Sequence, residues 1–172
     1  FYPFNYNPNY KYPMVVYIYE KLISHLHLYV NPTVYDYVGF NLTDYTSQGY
    51  FVLYPDIHYQ LGKAPFNATE QVIAATKEAV SSASIDASRI GLIGHSFGGY
   101  QTNFIISQTN LFTCAVSGSS VVDHVSSYLS YSDRSKTARY FMYEYHQQRI
   151  PFNLFDNWEN YLYSSPIYYA KK

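Results

Sequence analysis

The chemistry in this sequence is concentrated in one short segment. Gly94-His95-Ser96-Phe97-Gly98 is a G-x-S-x-G pentapeptide, and Gly99 follows it. It stands directly after a strand-like apolar run, Arg89 to Gly94 (RIGLIG), and directly before a helical one, Phe97 to Ser107. In that context the pattern describes a nucleophile elbow, a sharp turn that lifts a serine hydroxyl clear of the backbone. The residues two before and two after the serine crowd one another, which only glycine tolerates. The helix N-terminus presents free N–H groups and a positive dipole end where a carbonyl oxygen under attack gathers negative charge. The chemistry that fits is acyl transfer through Ser96. The competing reading is a glycine-rich strand-to-helix turn with an idle serine.

The elements around the motif must hold that turn rigid. Met14 to Tyr19 (MVVYIY) and Tyr50 to Tyr54 (YFVLY) are continuous apolar, β-branched and aromatic runs, the pattern of strands buried on both faces. Leu111 to Ser117 (LFTCAVS) is a fourth such run, after the Arg89 to Gly94 strand. Asn67 to Ser82 predicts a helix, with Asn67 as cap, Glu70 three residues on, and Val72, Thr76, Ala79 and Ala83 at helical spacing. Asp86 to Arg89 is expected to turn. Prolines 3, 8 and 13 mark an extended lead-in. Asn31 to Gly49 is polar and turn-rich, and Thr137 to Gln148 is expected to be helical. Buried strands that alternate with helices predict an α/β fold, a mostly parallel sheet with helices on both faces.

Composition excludes several functions. The chain has 172 residues, enough for one domain, and carries 48% hydrophobic and only 13% charged residues, which argues against disorder. A net charge of −1 leaves no electrostatic footprint for nucleic acid or an anionic membrane. No apolar run reaches the roughly 18 residues of a membrane span. The start of the chain lacks the basic and apolar regions of a signal peptide. With one cysteine, Cys114, no internal disulfide can form, and its apolar strand predicts a buried small hydrophobe. Tyrosine is the oddity, 23 of 172 residues.

Gly94-His95-Ser96-Phe97-Gly98-Gly99-Tyr100, preceded by Asp86-x-x-Arg89-Ile90-Gly91-Leu92, resembles the catalytic domain of the prolyl oligopeptidase family, in its dipeptidyl peptidase IV-like branch. Similar segments run through nearly the whole chain in the family's order. They are Lys11 to Glu20, Gly49 to Ile57, Leu111-Phe112 with Ala115 to Gly118, Gln148-Arg149-Ile150, Ser165-Pro166 and Tyr169-Ala170. The resemblance implies an α/β-hydrolase fold and a serine peptidase that cleaves short peptides, without a cofactor, with periplasmic or secreted location favoured. It implies Ser96 as nucleophile, with the backbone N–H of Phe97 and the hydroxyl of Tyr19 as oxyanion donors. It also places Phe97, Val121 and Tyr128 around a small apolar pocket for proline-like side chains.

The sequence departs from the family in one respect. The family's acid and histidine follow the segment at which this sequence stops, and its propeller precedes the segment at which it starts. Residues 1–172 therefore read as the N-terminal portion of a hydrolase domain, lacking its last strands. The expected partners are a peptide substrate and, through an exposed sheet edge, a second copy or a propeller domain. Asp123 with His124 or His146, and Asp133 and Asp156, are the local candidates for a triad, but adjacent Asp123 and His124 are poorly spaced to clamp one another. His95 is expected to pack. His25-x-His27 could hold a metal but reads better as solvated loop. Asn41-Leu42-Thr43 and Asn67-Ala68-Thr69 are glycosylation sequons only in a secreted eukaryotic protein. An esterase on the same fold and a binding module without chemistry remain as further readings.

Overall fold

The computed structural model describes residues 1–33 and 39–171. In chain order the elements are β1 (Tyr12–Ile18), α1 (Leu42–Ser47), β2 (Phe51–Leu53), α2 (Ala64–Ser82), β3 (Ile85–His95), α3 (Phe97–Ile106) and β4 (Cys114–Gly118). They continue with α4 (His124–Tyr128), a hairpin of β5 (Tyr131–Ser132) and β6 (Thr137–Ala138), α5 (Tyr140–Glu144) and α6 (Trp158–Tyr163). The first four strands form one parallel sheet in the order β2-β1-β3-β4.

Strand β1 shows why its sequence is apolar without alternation. Met14, Val16 and Ile18 pack with Ala68 and Val72 of α2 and Ile105 of α3. Val15 and Tyr17 point the other way, onto Phe40, Leu42 and Val52. Successive strand side chains face opposite sides, so helices on both faces demand apolar residues at every position. A third cluster, Tyr143, Ile150, Leu154 and Tyr161, lies beyond the sheet. Three of the 23 tyrosines, Tyr100, Tyr143 and Tyr161, are among the largest fully buried side chains.

The differences from the sequence expectations have local causes. Helix α2 starts at Ala64, with Lys63 as its cap and a proline in the first turn, where the fixed φ of Pro65 suits the helix. Asn67 instead turns its Oδ1 to the N–H of Gln60, 2.8 Å away. Strand β3 begins at Ile85, but its pairing with β1 jumps from Tyr12↔Ile85 to Met14↔Ile90. Asp86 to Arg89 is the loop thrown out between these pairs, tied by Arg89 Nε to Asp86 at 2.7 Å. The expected helix over Thr137 to Gln148 shrinks to Tyr140–Glu144, because Thr137 and Ala138 pair with Tyr131 and Ser132 instead.

Cys114 needs correction. It is exposed rather than buried, because β4 is an edge of the sheet and Cys114 to Ser117 are uncovered along it. Val116 is 58% exposed there. A bare apolar edge offers its free N–H and C=O groups to another strand. The 172-residue chain by itself should therefore self-associate, and Val116→Lys should shift it toward monomer in sedimentation velocity. A wild-type chain that stays monomeric at every loading concentration would contradict this.

Candidate active site

Ser96 sits at the junction of β3 and α3 with φ 55° and ψ −114°. A non-glycine residue with positive φ outside a turn is strained, typically by about 1–3 kcal/mol, and persists only where its surroundings enforce it. They do so here. The N–H of Ser96 donates to the carbonyl of Gly118 on β4 at 2.8 Å, which ties the turn to the next strand. A methyl group on Gly94 would be driven into the carbonyl of Gly98, and one on Gly98 into the carbonyl of Ile18. Both glycines thus bring the first turn of α3 into contact with the ends of β3 and β1. A methyl on Gly99 would lie 2.5 Å from the carbonyl oxygen of Gly118, so the helix also presses on β4.

Tyr19 follows directly on the end of β1, and its Cα packs against Gly98. Tyr19 and Ser96 both line a cavity of about 610 Å³. The Tyr19 hydroxyl accepts a hydrogen bond from Gln147 Nε2 at 3.0 Å. That leaves its own proton free to be donated. Gln147 is in turn fixed through its carbonyl, which accepts from Arg149 Nη1 at 2.6 Å, while Arg149 Nη2 binds Glu20 Oε1 at 2.6 Å. The guanidinium also lies 4.5 Å from the centre of the Tyr59 ring. Arg149 holds its place with φ 56°, a second strained residue close to the site. Motif reasoning did not find Gln147 and Glu20, because their roles depend on a contact between residues more than a hundred positions apart. Phe97 is the first residue of α3, and its N–H is among those that an α-helix leaves without an intrahelical partner.

Ser96 faces a second cavity as well, of about 260 Å³, on the side of α4 and α5. Phe97 and Val121 line it. Tyr128 does not. Its ring packs edge-on against Tyr161 at 5.2 Å, and its hydroxyl donates to Glu144. Nor is the cavity the small apolar slot expected. Ser119, Ser120, Ser127, Arg139, Gln147 and Gln148 form much of its wall.

Among the local candidates for a triad, His124 and the three carboxylates are engaged in other contacts. His124 is fully buried between Tyr100 and Tyr143, with ring centres 4.5 and 5.1 Å away, and neither ring nitrogen has a hydrogen-bond partner. Burial pushes its pKa down to about 3, with the Asp123 carboxylate only partly opposing this. Asp123 caps α4, its Oδ1 accepting from the N–H of Val125 at 3.0 Å. Its own burial opposes ionisation, but hydrogen bonds from Ser126 and Val125 prevail and hold its pKa below the usual range. His146 is exposed and lies over Phe141. Asp133 pairs with Lys136, and Asp156 accepts from Asn153. His95 is half-buried and lines the larger cavity. His25 and His27 are exposed, and the described residues contain no cluster of metal ligands. Asn41 is buried and caps α1, its amide donating to the carbonyl of Asn31, so its sequon is closed in the folded chain.

A strand-turn-helix serine on a parallel sheet with helices on both faces defines the α/β-hydrolase fold. Solved structures agree. The chain superposes on Pyrococcus horikoshii acylaminoacyl peptidase with a TM-score of 0.73 and 22% identity, over 99% of this chain and 27% of that one. A putative dipeptidyl aminopeptidase IV from Bacteroides ovatus gives 0.69 and 22%, over 98% and 23%. In sequence, the uncharacterized peptidase YuxL of Bacillus subtilis (strain 168) is 31% identical over 102 residues, 59% of this chain and 14% of its own length. The chain thus spans about a quarter or less of these relatives. The profile of the prolyl oligopeptidase family matches residues 38–172, and the chain belongs to that family.

The buried His124 makes stability pH-dependent. Its folded pKa, about 3, lies below the ordinary 6.5, so the unfolded chain binds the proton more readily. Stability is complete above pH 6.5 and declines as pH falls toward 3, by up to about 1.4 kcal/mol per pH unit. Between pH 7.5 and 5, urea unfolding should show a loss that is about 2 kcal/mol larger in the wild type than in His124→Phe. Equal losses in the two proteins would place the ring in contact with water.

Proposed function

We propose that this chain carries the nucleophile and oxyanion hole of a serine peptidase that hydrolyses short peptides through an acyl-enzyme on Ser96. The observation that carries the reading is the strained backbone of Ser96 beside Tyr19, whose hydroxyl is oriented by Gln147. The Ser96 Oγ attacks the carbonyl carbon of the scissile bond while a base removes its proton. The oxygen that becomes negative accepts hydrogen bonds from the Phe97 N–H and the Tyr19 hydroxyl. Collapse expels the amine, protonated by the same base, and water then releases the acyl group from Ser96. The desolvation of His124 and the engagement of Asp123 in capping α4 support a base and acid other than this pair. The peptidase names of the relatives favour an amide over an ester substrate.

The test is steady-state hydrolysis of chromogenic dipeptide anilides by the full protein that contains this chain. Ser96→Ala should lower kcat by about 10⁶, as removal of the nucleophile does in serine proteases. Tyr19→Phe should lower kcat by about 10² to 10³ with little change in KM, the effect of losing one oxyanion donor. The 172 residues alone should turn over no faster than their Ser96→Ala form. Turnover by the isolated chain that Ser96→Ala abolishes would put a base within it, and hydrolysis of esters but never of anilides would favour an esterase.

A further inference from the structure

We propose that the cavity between Ser96 and helices α4 and α5 is a subsite for an acidic side chain, so that the bond cut follows a glutamate or aspartate. This rests on Ser96 being the nucleophile. The cavity, about 260 Å³, is lined by one cation, Arg139, and by no carboxylate. Arg139 is half-buried, and among the described residues it forms no ion pair, whereas Arg89, Lys136 and Arg149 each do. A guanidinium partly withdrawn from water without a counter-charge is ready to take a carboxylate in two parallel hydrogen bonds.

Two further groups point the same way. Tyr143 Oη and Gln148 Oε1 are buried without a hydrogen-bond partner, and both residues line this cavity. A buried polar atom without a partner is costly, and a carboxylate in this cavity would supply the missing partner. Burial holds the Tyr143 phenol protonated, its pKa pushed up to about 12, with Ser127 and the charge of Arg139 only partly opposing this. It can therefore only donate to an anion. The Gln148 amide turns about its last torsion to offer N–H instead of oxygen. Arg139 and Tyr143 are four residues apart along the turn that opens α5, which sets them on one face. The Arg139 N–H is anchored to the carbonyl of Ser130 at 3.0 Å. The flanking carboxylates are engaged elsewhere, Asp123 in capping α4 and Glu144 with the Tyr128 hydroxyl. Phe97, Val121 and Met142 supply apolar wall for the methylene groups of the side chain. A proline ring would leave Arg139, Tyr143 and Gln148 all without partners.

The experiment measures binding separately from catalysis, in the full protein carrying Ser96→Ala. Isothermal titration with Ala-Ala-Glu, Ala-Ala-Gln and Ala-Ala-Pro compares two side chains of one shape and different charge, and a neutral ring. Glutamate should bind at least about tenfold more tightly than glutamine or proline, as a charge-assisted pair gives. Adding Arg139→Gln should erase the difference, and Arg139→Lys should keep only part of it, because an ammonium cannot make both parallel bonds. Equal binding of Glu and Gln, or tighter binding of Pro, would overturn the proposal. In the wild type, the ratio of kcat/KM for Ala-Glu over Ala-Ala anilide should fall at least about tenfold on Arg139→Gln. A glutamate preference in binding without any turnover would leave the subsite standing and refute the peptidase reading.

Discussion

The contact between Gly98 and the carbonyl of Ile18 is the constraint on which the site depends. It lets the N-terminus of α3 rest directly on the end of β1, with no side chain between them. With Gly94 against Gly98 behind it, the chain between β3 and α3 has no room for a relaxed turn, and Ser96 takes up the strain at φ 55°. The same contact places Tyr19, one residue past Ile18, beside the first turn of the helix. The positions of Ser96 and of the Tyr19 phenol are thus fixed by one close approach of two backbones. That approach in turn needs a sheet buried on both faces, because only a rigid β1 can resist the pressure of the helix end. The two apolar clusters on either side of β1 supply that rigidity.

Around this frame the polar network is arranged in series. Glu20 holds Arg149, Arg149 holds the backbone of Gln147, and Gln147 orients the hydroxyl of Tyr19. Each link is a directional bond to a partly buried group, so displacement of any one member misaims the phenol without removing it. Tyr100 and Tyr143 line the smaller cavity, and the rings of His124 and Tyr161 pack in series with them. Tyr100 meets its polar requirement by donating to the carbonyl of Ser164 at 2.9 Å. Tyrosine suits such a series, since its ring fills volume while its hydroxyl reaches a backbone acceptor.

What the sequence made legible was local. The strand runs and the glycine spacing about Ser96 announce themselves, because their pattern is a direct consequence of burial and of crowding within five residues. The resemblance brought Tyr19 into view among 23 tyrosines, which spacing alone could not do. The start of α2 was misplaced because a proline in the first turn outweighed a good cap at Asn67. An exposed edge strand was expected, but Cys114 was read as buried from its apolar run, and at that edge it is exposed. Arg139 carried no signal at all, since whether a cation finds an ion-pair partner among the described residues is a property of packing. Tyr128 was sent toward the cavity by resemblance, and the structure places it against Tyr161 and Glu144.

The central claim is that Ser96 is raised and activated as a nucleophile. The most direct measurement is reaction of the full protein with a fluorophosphonate, followed by peptide mass mapping. One adduct per chain, located on Ser96 and absent after heat unfolding, is the result that the account predicts. A folded protein that remains unlabelled, or that is labelled at another serine, would contradict it.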